Sequence, residues 1–215
     1  MIVVTAEYQT AGRGCGSNSW ESERGKNLLF SLLCQPRHIA PWKQFRLSMM
    51  ISVAMADVLR RYAEGVSIKW PNDIYVGDGK IAGILIECTV QKGMLRDCLI
   101  GVGLNVNQSA FLSDAPNPVS LKQLTGSELD KEHLLQQIME TFQHYYTADN
   151  HEDVVSKYKS LLYRRTGSWP YTDKNGSFLA ELVDVTEEGI LVLCDEVGQE
   201  RRYAFKEVAF MLATE

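Results

Sequence analysis

Residues 66–87 read VSIKWPNDIYVGDGKIAGILIE, and this stretch decides the fold. Its short apolar and β-branched runs predict strands over 66–70, 74–76 and 81–89, and residues 76–80 predict a hairpin turn. Outside this stretch, similar patterns predict further elements on both sides. The predicted strands are 2–6, which we expect to be buried, 27–34 and 95–106; the predicted helices are 41–62, 120–124, 130–146 and 152–163.

The last part of the chain has a different sequence pattern. After residue 167 no helical periodicity remains, and short alternating runs are separated by turn residues such as Asn175-Gly176 and Glu188-Gly189. This pattern is typical of a small barrel of hairpins. We therefore predict two domains, 1–165 and 166–215, with the boundary near Arg165. The second domain is close to the smallest size that folds alone, so we expect contacts with the first domain to stabilise it.

Composition excludes several classes of protein. The 215 residues are 45% hydrophobic and 23% charged, which is ordinary for a globular chain. A net charge of −5 argues against a general binder of nucleic acid or membrane surfaces. No apolar run is long enough to span a bilayer, and residues 1–7 lack the basic flank of a secretory signal. Five cysteines without a CxxC pair predict free thiols in the cytoplasm, and the four histidines are not at zinc-ligand spacing.

A glycine-rich loop, QTAGRGCGSNSW, covers residues 9–20. Its glycines allow the backbone to approach a ligand and to direct N–H groups at an anion, and Arg13 adds a cation. The spacing fits neither a P-loop nor a dinucleotide-binding fingerprint. A ligand-binding loop and a solvated loop are both consistent with this segment alone.

The block Lys69-Trp-Pro-Asn-Asp73 places a cation and an acid at one strand end. Such a pair suits a nucleotide phosphate with its Mg²⁺, because Mg²⁺ is commonly held by one or two carboxylates together with phosphate oxygens. The alternative is an ordinary turn in which Asn72 and Asp73 bond their own backbone.

Two further blocks contain glycines within strands. In the run from Gly79 to Glu87, Lys80 stands at the mouth of an almost wholly apolar strand that we expect to be buried on both faces. Gly83 would leave room for a flat ligand. In Gly101-Val-Gly-Leu-Asn105, the glycines invite close packing and Asn105 offers a paired donor and acceptor. The alternatives are a solvent-exposed hairpin lysine and a strand bulge followed by an Asx turn.

Taken together and in this order, the four blocks resemble those of the biotin protein ligase family, in the monofunctional type without a DNA-binding domain. The resemblance covers nearly the whole chain. It implies an α+β fold with a mixed sheet and flanking helices, like the catalytic domain of class II synthetases and biotin or lipoate ligases. A small C-terminal SH3-like β-barrel would follow.

The resemblance also implies a reaction and its residues. Biotin and ATP would form biotinyl-5′-AMP with Mg²⁺, and a lysine of a biotin carboxyl carrier domain would then displace AMP. Lys80 and Arg13 would be catalytic, and Asp73 would hold the metal. The biotin-binding residues would be Gln9, Arg13, Gly14, Cys15, Lys80, Gly83 and Gly101. The ATP-binding residues would be Trp20, which covers the adenylate, Lys69, Asn72 and Asn105, which reads the adenine.

The partner implied is the carrier domain of a biotin-dependent carboxylase in the cytoplasm, with no nucleic acid and no membrane; a homodimer is compatible with the resemblance. Two departures from the family pattern accompany it. Cys15 stands where a second arginine is usual, and the Ser-Thr-Asn turn of the family would lie upstream of residue 2. Two alternatives stay open: a lipoate or octanoate ligase-type transferase, and a truncated relative that binds biotin or a carrier without turnover.

Overall fold

The computed structural model describes residues 1–16, 18–113, 115–148 and 152–211. Its strands form one six-stranded sheet, of order β1-β2-β6-β5-β4-β3, and one five-stranded sheet, of order β10-β9-β8-β7-β11. The six strands of the first sheet are β1 (Ile2–Ala6), β2 (Leu28–Cys34), β3 (Val66–Lys69), β4 (Asp73–Val76), β5 (Gly79–Gln91) and β6 (Met94–Leu104). The five strands of the second are β7 (Ser168–Asp173), β8 (Gly176–Val185), β9 (Leu191–Asp195), β10 (Glu200–Tyr203) and β11 (Val208–Phe210).

The helices pack against one face of the larger sheet. They are α1 (Phe45–Leu59), preceded by a 3₁₀ turn at Pro41–Lys43, α2 (Leu121–Thr125), α3 (Lys131–Thr147) and α4 (Glu152–Ser160). Every residue of α1 from Leu47 to Ala56 is buried, because the helix lies between the sheet and the pair α3 and α4. A capping box of Ser120 and Gln123 starts α2, and the Asp130 side chain caps α3. The opposite face of the sheet is left open.

The alternation of side chains along the strands explains the two faces. In β5, Ala82 and Ile84 are buried toward α1, whereas Gly83 and Leu85 point to the open face and are half-buried. The expectation that this strand is buried on both faces is therefore wrong. Residues of β1 are exposed rather than buried, since β1 is the edge strand and pairs only with β2 among the described strands.

The predicted α+β class is confirmed, and each predicted strand and helix before residue 165 is present within a few residues of its expected bounds. The pairing in the six-stranded sheet is antiparallel throughout its named strands rather than mixed. Short turns connect β4 to β5 and β5 to β6, and such turns require antiparallel neighbours. No described helix is long and apolar enough to cross a membrane.

The smaller sheet leans on the larger unit through specific contacts. The indole Nε1 of Trp70 donates to the Gly189 carbonyl at 2.9 Å, and Lys43 and Arg46 both pair with Glu187. The Trp70 ring also meets Phe205 edge to face, at 6.4 Å between centroids. These contacts hold the β10–β11 turn beside the Lys69–Asp73 block. The boundary near Arg165 stays a prediction; β7 begins at Ser168.

Three cysteines that are distant in sequence are neighbours in the sheet. Cys98 lies in register with Cys34 on one side and with Cys88 on the other. All five cysteines are free thiols. Burial raises the pKa of the Cys34 thiol to about 11 and also raises the pKa of Cys98, so both are protonated at neutral pH. Protonated, buried thiols are poor nucleophiles and pack as small apolar side chains.

Candidate active site

Three glycines lie close together as a floor on the open face of the larger sheet. Gly83 and Gly103 are directly paired across β5 and β6, and Gly101 lies two residues further on the same face, opposite Leu85. Three glycines on one face of neighbouring strands leave a flat depression in which a ligand approaches the backbone closely. The sequence pattern indicated close packing at all three glycines, although only Gly83 and Gly101 were assigned to biotin.

A β-bulge directs Lys80 toward this floor. By strict alternation Lys80 and Gly83 would point to opposite faces, but the register between β4 and β5 shifts after Ile74, so that Asp73 pairs with Gly83 and Tyr75 with Lys80. The Lys80 Nζ forms an ion pair with Asp73 Oδ2 at 2.7 Å. A chain segment beside it fixes its backbone, since the Lys80 N–H donates to the Asn117 carbonyl at 2.7 Å.

A second lysine stands next to this pair. Lys69 Nζ donates to the Tyr75 hydroxyl at 3.0 Å and lies 4.7 Å from the centre of the Tyr75 ring. Burial lowers the pKa of the Lys69 ammonium, and the nearby Asp73 partly opposes that effect. A half-buried cation that has lost part of its hydration gains from an anion placed beside it. Asn72 turns inward and donates to the Ile84 carbonyl.

The glycine-rich loop folds over the floor. The Trp20 N–H donates to the Gly12 carbonyl at 2.9 Å and the Gly14 N–H to the Asn18 carbonyl at 2.7 Å, so the described part of the loop is a narrow hairpin. Ser17 lies outside the described residues. The Trp20 indole lies on the glycine floor: a methyl group at Gly83 would lie 3.1 Å from its Cζ3, and one at Gly103 would collide with its Cε2.

In this position the polar atom of the Trp20 indole makes no hydrogen bond. Trp20 Nε1 is buried and has no hydrogen-bond partner. A buried donor left unpaired costs about 1–3 kcal/mol. The position of the indole therefore carries a free-energy cost.

These groups surround one cavity of about 590 Å³. The predicted residues that line it are Gln9, Arg13, Gly14, Cys15, Trp20, Lys69, Asn72, Asp73, Lys80, Gly83 and Gly101. Asn105 does not line it: its side chain is 2% exposed and donates to the Val119 carbonyl, while its Oδ1 is buried without a partner. The roles assigned to all these residues stay predictions.

Part of the cavity wall comes from the smaller sheet, and no sequence pattern predicted it. Phe205, Lys206 and residues 208–210 line the same cavity. They are far from the four blocks in sequence and carry no motif, so only their spatial proximity identifies them.

Few side chains in the cavity could bind a metal ion. Within the described ranges, no group of three or more His, Cys, Asp or Glu side chains is arranged to hold a metal ion. Asp73 offers one carboxylate, which is already paired with Lys80. Such a set fits an ion held mainly by the phosphates of a bound nucleotide. It does not fit a resident metal centre.

The same fold occurs in proteins of known structure. Residues 1–105 match the sequence model of the biotin/lipoate A/B protein ligase family. The chain is similar to the biotin protein ligase from Aquifex aeolicus in complex with biotin and ATP, with a TM-score of 0.77 at 24% identity over 97% of this chain and 88% of that one. At that identity the likeness concerns the fold. The sheet, the helices and the additional C-terminal sheet are thus those of the biotin and lipoate ligase class.

Two relatives narrow the class further. The chain is 30% identical over 212 residues to the bifunctional ligase/repressor BirA of Bacillus spizizenii, covering 94% of this chain and 64% of the relative. It is 32% identical over 146 residues to the biotin–[acetyl-CoA-carboxylase] ligase of Paracoccus denitrificans, covering 65% of this chain and 60% of that protein. The chain thus spans slightly less than two thirds of these relatives. The chain is similar to ligases of this class over most of its length.

Proposed function

We propose that this chain activates biotin with ATP to form biotinyl-5′-AMP and pyrophosphate, and then transfers biotin to a lysine of a carrier domain. One observation carries the proposal: the Lys80–Asp73 pair and Lys69 stand at the end of a floor of three glycines, under a glycine-rich loop. The floor leaves room for a compact bicyclic ring, and the cations suit the carboxylate and phosphates that react. The name of the Paracoccus denitrificans relative supports biotin as the acid.

The chemistry requires cations more than an acid–base pair. A carboxylate that attacks the α-phosphate of ATP meets an anion, so the transition state gains most from fixed positive charge in a site that excludes water. We place the ring system of biotin on Gly83 and Gly103, with its carboxylate toward Lys80. Lys69 and Arg13 then face the phosphates, and Gln9 borders the cavity where the ureido ring would lie.

The nucleotide would bring its own Mg²⁺. When bound, that ion shields the phosphate charge, and Asp73 would supply one oxygen ligand to it. Asp73 would then serve both this ion and the Lys80 ammonium. Asn72, adjacent to Asp73, is the remaining polar group of the block that we assign to the nucleotide.

Trp20 should report ligand entry. The indole covers the floor, so a ring bound there must displace it, and the emission of Trp20 should change when biotin is added. Trp20→Phe should remove most of that change, whereas Trp42→Phe should retain it, because Trp42 is 67% exposed and does not line the cavity. A full fluorescence change in Trp20→Phe would show that the floor is not the binding surface.

The second half-reaction tests the acid and the carrier together. We expect the chain, ATP and biotin to add one biotinyl group to a biotin carboxyl carrier domain, detected as a mass increase of the intact carrier. A carrier with its target lysine replaced by arginine is the control. Lipoate and octanoate, offered at equal concentration, should label poorly; preferential labelling with either would favour the lipoate-type alternative.

A further inference from the structure

Lys69 is in contact with a tyrosine that lies outside the cavity. Lys69 lines the cavity, whereas Tyr75 does not. The Lys69 Nζ donates to the Tyr75 hydroxyl at 3.0 Å and lies 4.7 Å from the centre of the Tyr75 ring. Tyr75 therefore holds the cation through both its hydroxyl and its ring, but it does not line the space that is open to a ligand.

The strand β4 determines the direction of the Tyr75 side chain. Alternation along β4 places Asp73 and Tyr75 on the face opposite to Ile74, which belongs to the apolar core. Tyr75 is nevertheless only 3% exposed. Burial raises the pKa of the Tyr75 hydroxyl, so the hydroxyl is uncharged at neutral pH and serves the Lys69 ammonium as a neutral acceptor.

A second tyrosine fixes the Tyr75 ring in place. The rings of Tyr75 and Tyr163 pack together, with 5.2 Å between their centres. Tyr163 is itself anchored twice: its hydroxyl donates to the Asp78 carboxylate at 2.5 Å, and its N–H donates to the Ile68 carbonyl at 2.9 Å. The Tyr75 hydroxyl is therefore an acceptor at a fixed position rather than one on a mobile side chain.

Lys69 depends on this acceptor more than Lys80 depends on a neutral group. Lys80 is paired with Asp73 at 2.7 Å, whereas no carboxylate in the described ranges of the chain forms an ion pair with Lys69. A lysine side chain is long and flexible, so an ammonium without a partner would sample many positions. An ammonium has three N–H donors, and the bond to Tyr75 uses one of them, which leaves donors for an anion in the cavity.

We propose that Tyr75 is a positioning residue for adenylation: its hydroxyl orients the Lys69 ammonium toward the phosphates of ATP, and it acts only through Lys69. This proposal rests on the adenylation function proposed above. A cation that is already oriented needs no reorganisation when charge develops on the α-phosphate. The contact should therefore matter for ATP and its reaction, and not for the binding of biotin on the glycine floor.

The first test removes the hydroxyl and keeps the ring. In biotin-dependent pyrophosphate exchange, Tyr75→Phe should lower kcat/KM for ATP about tenfold, the scale of one hydrogen bond to a charged group, and should leave the KM for biotin nearly unchanged. Tyr145→Phe is the matched control and should keep the wild-type constants. The Tyr145 hydroxyl also accepts from a lysine, Lys157, at 3.0 Å, but this pair lies outside the cavity.

A double-mutant cycle separates positioning from a structural role. Lys69→Met removes the ammonium and keeps an unbranched side chain, so adding Tyr75→Phe to it should cause no further loss. A loss by the same factor with and without Lys69 would show that Tyr75 only supports the fold. That result, an unchanged kcat/KM for ATP in Tyr75→Phe, or an equal change in the KM for biotin would overturn the proposal.

Calorimetric titration of ATP into the same four chains distinguishes this proposal from the proposed function. If the wild type binds ATP but forms no biotinyl-5′-AMP, the proposed function fails, and the ATP affinities still decide the role of Tyr75. They also decide it if Lys69→Met leaves no measurable exchange. Tyr75→Phe should then weaken ATP binding only where Lys69 is present. If the wild type binds no ATP, both proposals fail.

Discussion

Lys80→Ala should lower biotin-dependent adenylation about 100-fold or more, the scale of removing one preorganised charge from a reacting centre. The bulge in β5 and the ion pair with Asp73 fix the Lys80 ammonium at the end of the glycine floor. The rate of biotin-dependent pyrophosphate exchange measures the effect.

The control for this variant is an equivalent ion pair elsewhere. Lys122 pairs with Glu128 at 3.0 Å on the surface, outside the cavity, so Lys122→Ala should keep the wild-type rate. Asp73→Asn separates the lysine from its partner: Lys80 then keeps its charge but loses the group that orients it, and we expect an intermediate rate. Near wild-type exchange by Lys80→Ala would remove Lys80 from the mechanism.

Gly103→Ala should weaken biotin binding about 100-fold, because overpacking a filled contact costs about 1–3 kcal/mol and the methyl group stands on the ligand floor. The same methyl group collides with the Trp20 indole, so the loop should open and Trp20 emission should shift to the red without ligand. Calorimetry measures the affinity, and emission spectra of the unliganded chain measure the loop.

Gly101→Ala is the matched substitution for this experiment. A methyl group at Gly101 meets the Leu85 carbonyl at 3.7 Å, an ordinary contact, so the Trp20 emission of the unliganded chain should not change. Biotin affinity should fall less than in Gly103→Ala. If Gly103→Ala binds biotin as the wild type does, the ring does not lie on the paired glycines.

The local pattern was sufficient to predict the elements of the fold but not all of their burial. Strong periodicity over 130–146 and the hairpin at 76–80 predict α3 and the β4–β5 turn closely. The apolar run of β1 predicts a buried strand, yet β1 is an exposed sheet edge. A strand pattern records only which side chains are apolar, whereas burial depends on which elements pack against each side.

The candidate site, like the fold, could be predicted from the sequence only in part. The blocks around Gly12, Lys69, Lys80 and Gly101 could be recognised in the sequence, and each block contributes residues to one cavity, although Asn105 lies outside it. The Lys80–Asp73 contact depends on a bulge, which alternation alone does not predict. The position of the Trp20 indole and the arrival of Lys206 at Gly16 are tertiary contacts between distant segments, and they have no local sequence signal.

Exchange of labelled pyrophosphate into ATP tests the central claim most directly, because it reports formation of the acyl-adenylate without a carrier. With the purified chain, ATP and Mg²⁺, label should enter ATP when biotin is present and should stay at background with lipoate or without an acid. Exchange that is absent with biotin, or that proceeds equally without it, would contradict the proposal that this cavity adenylates biotin.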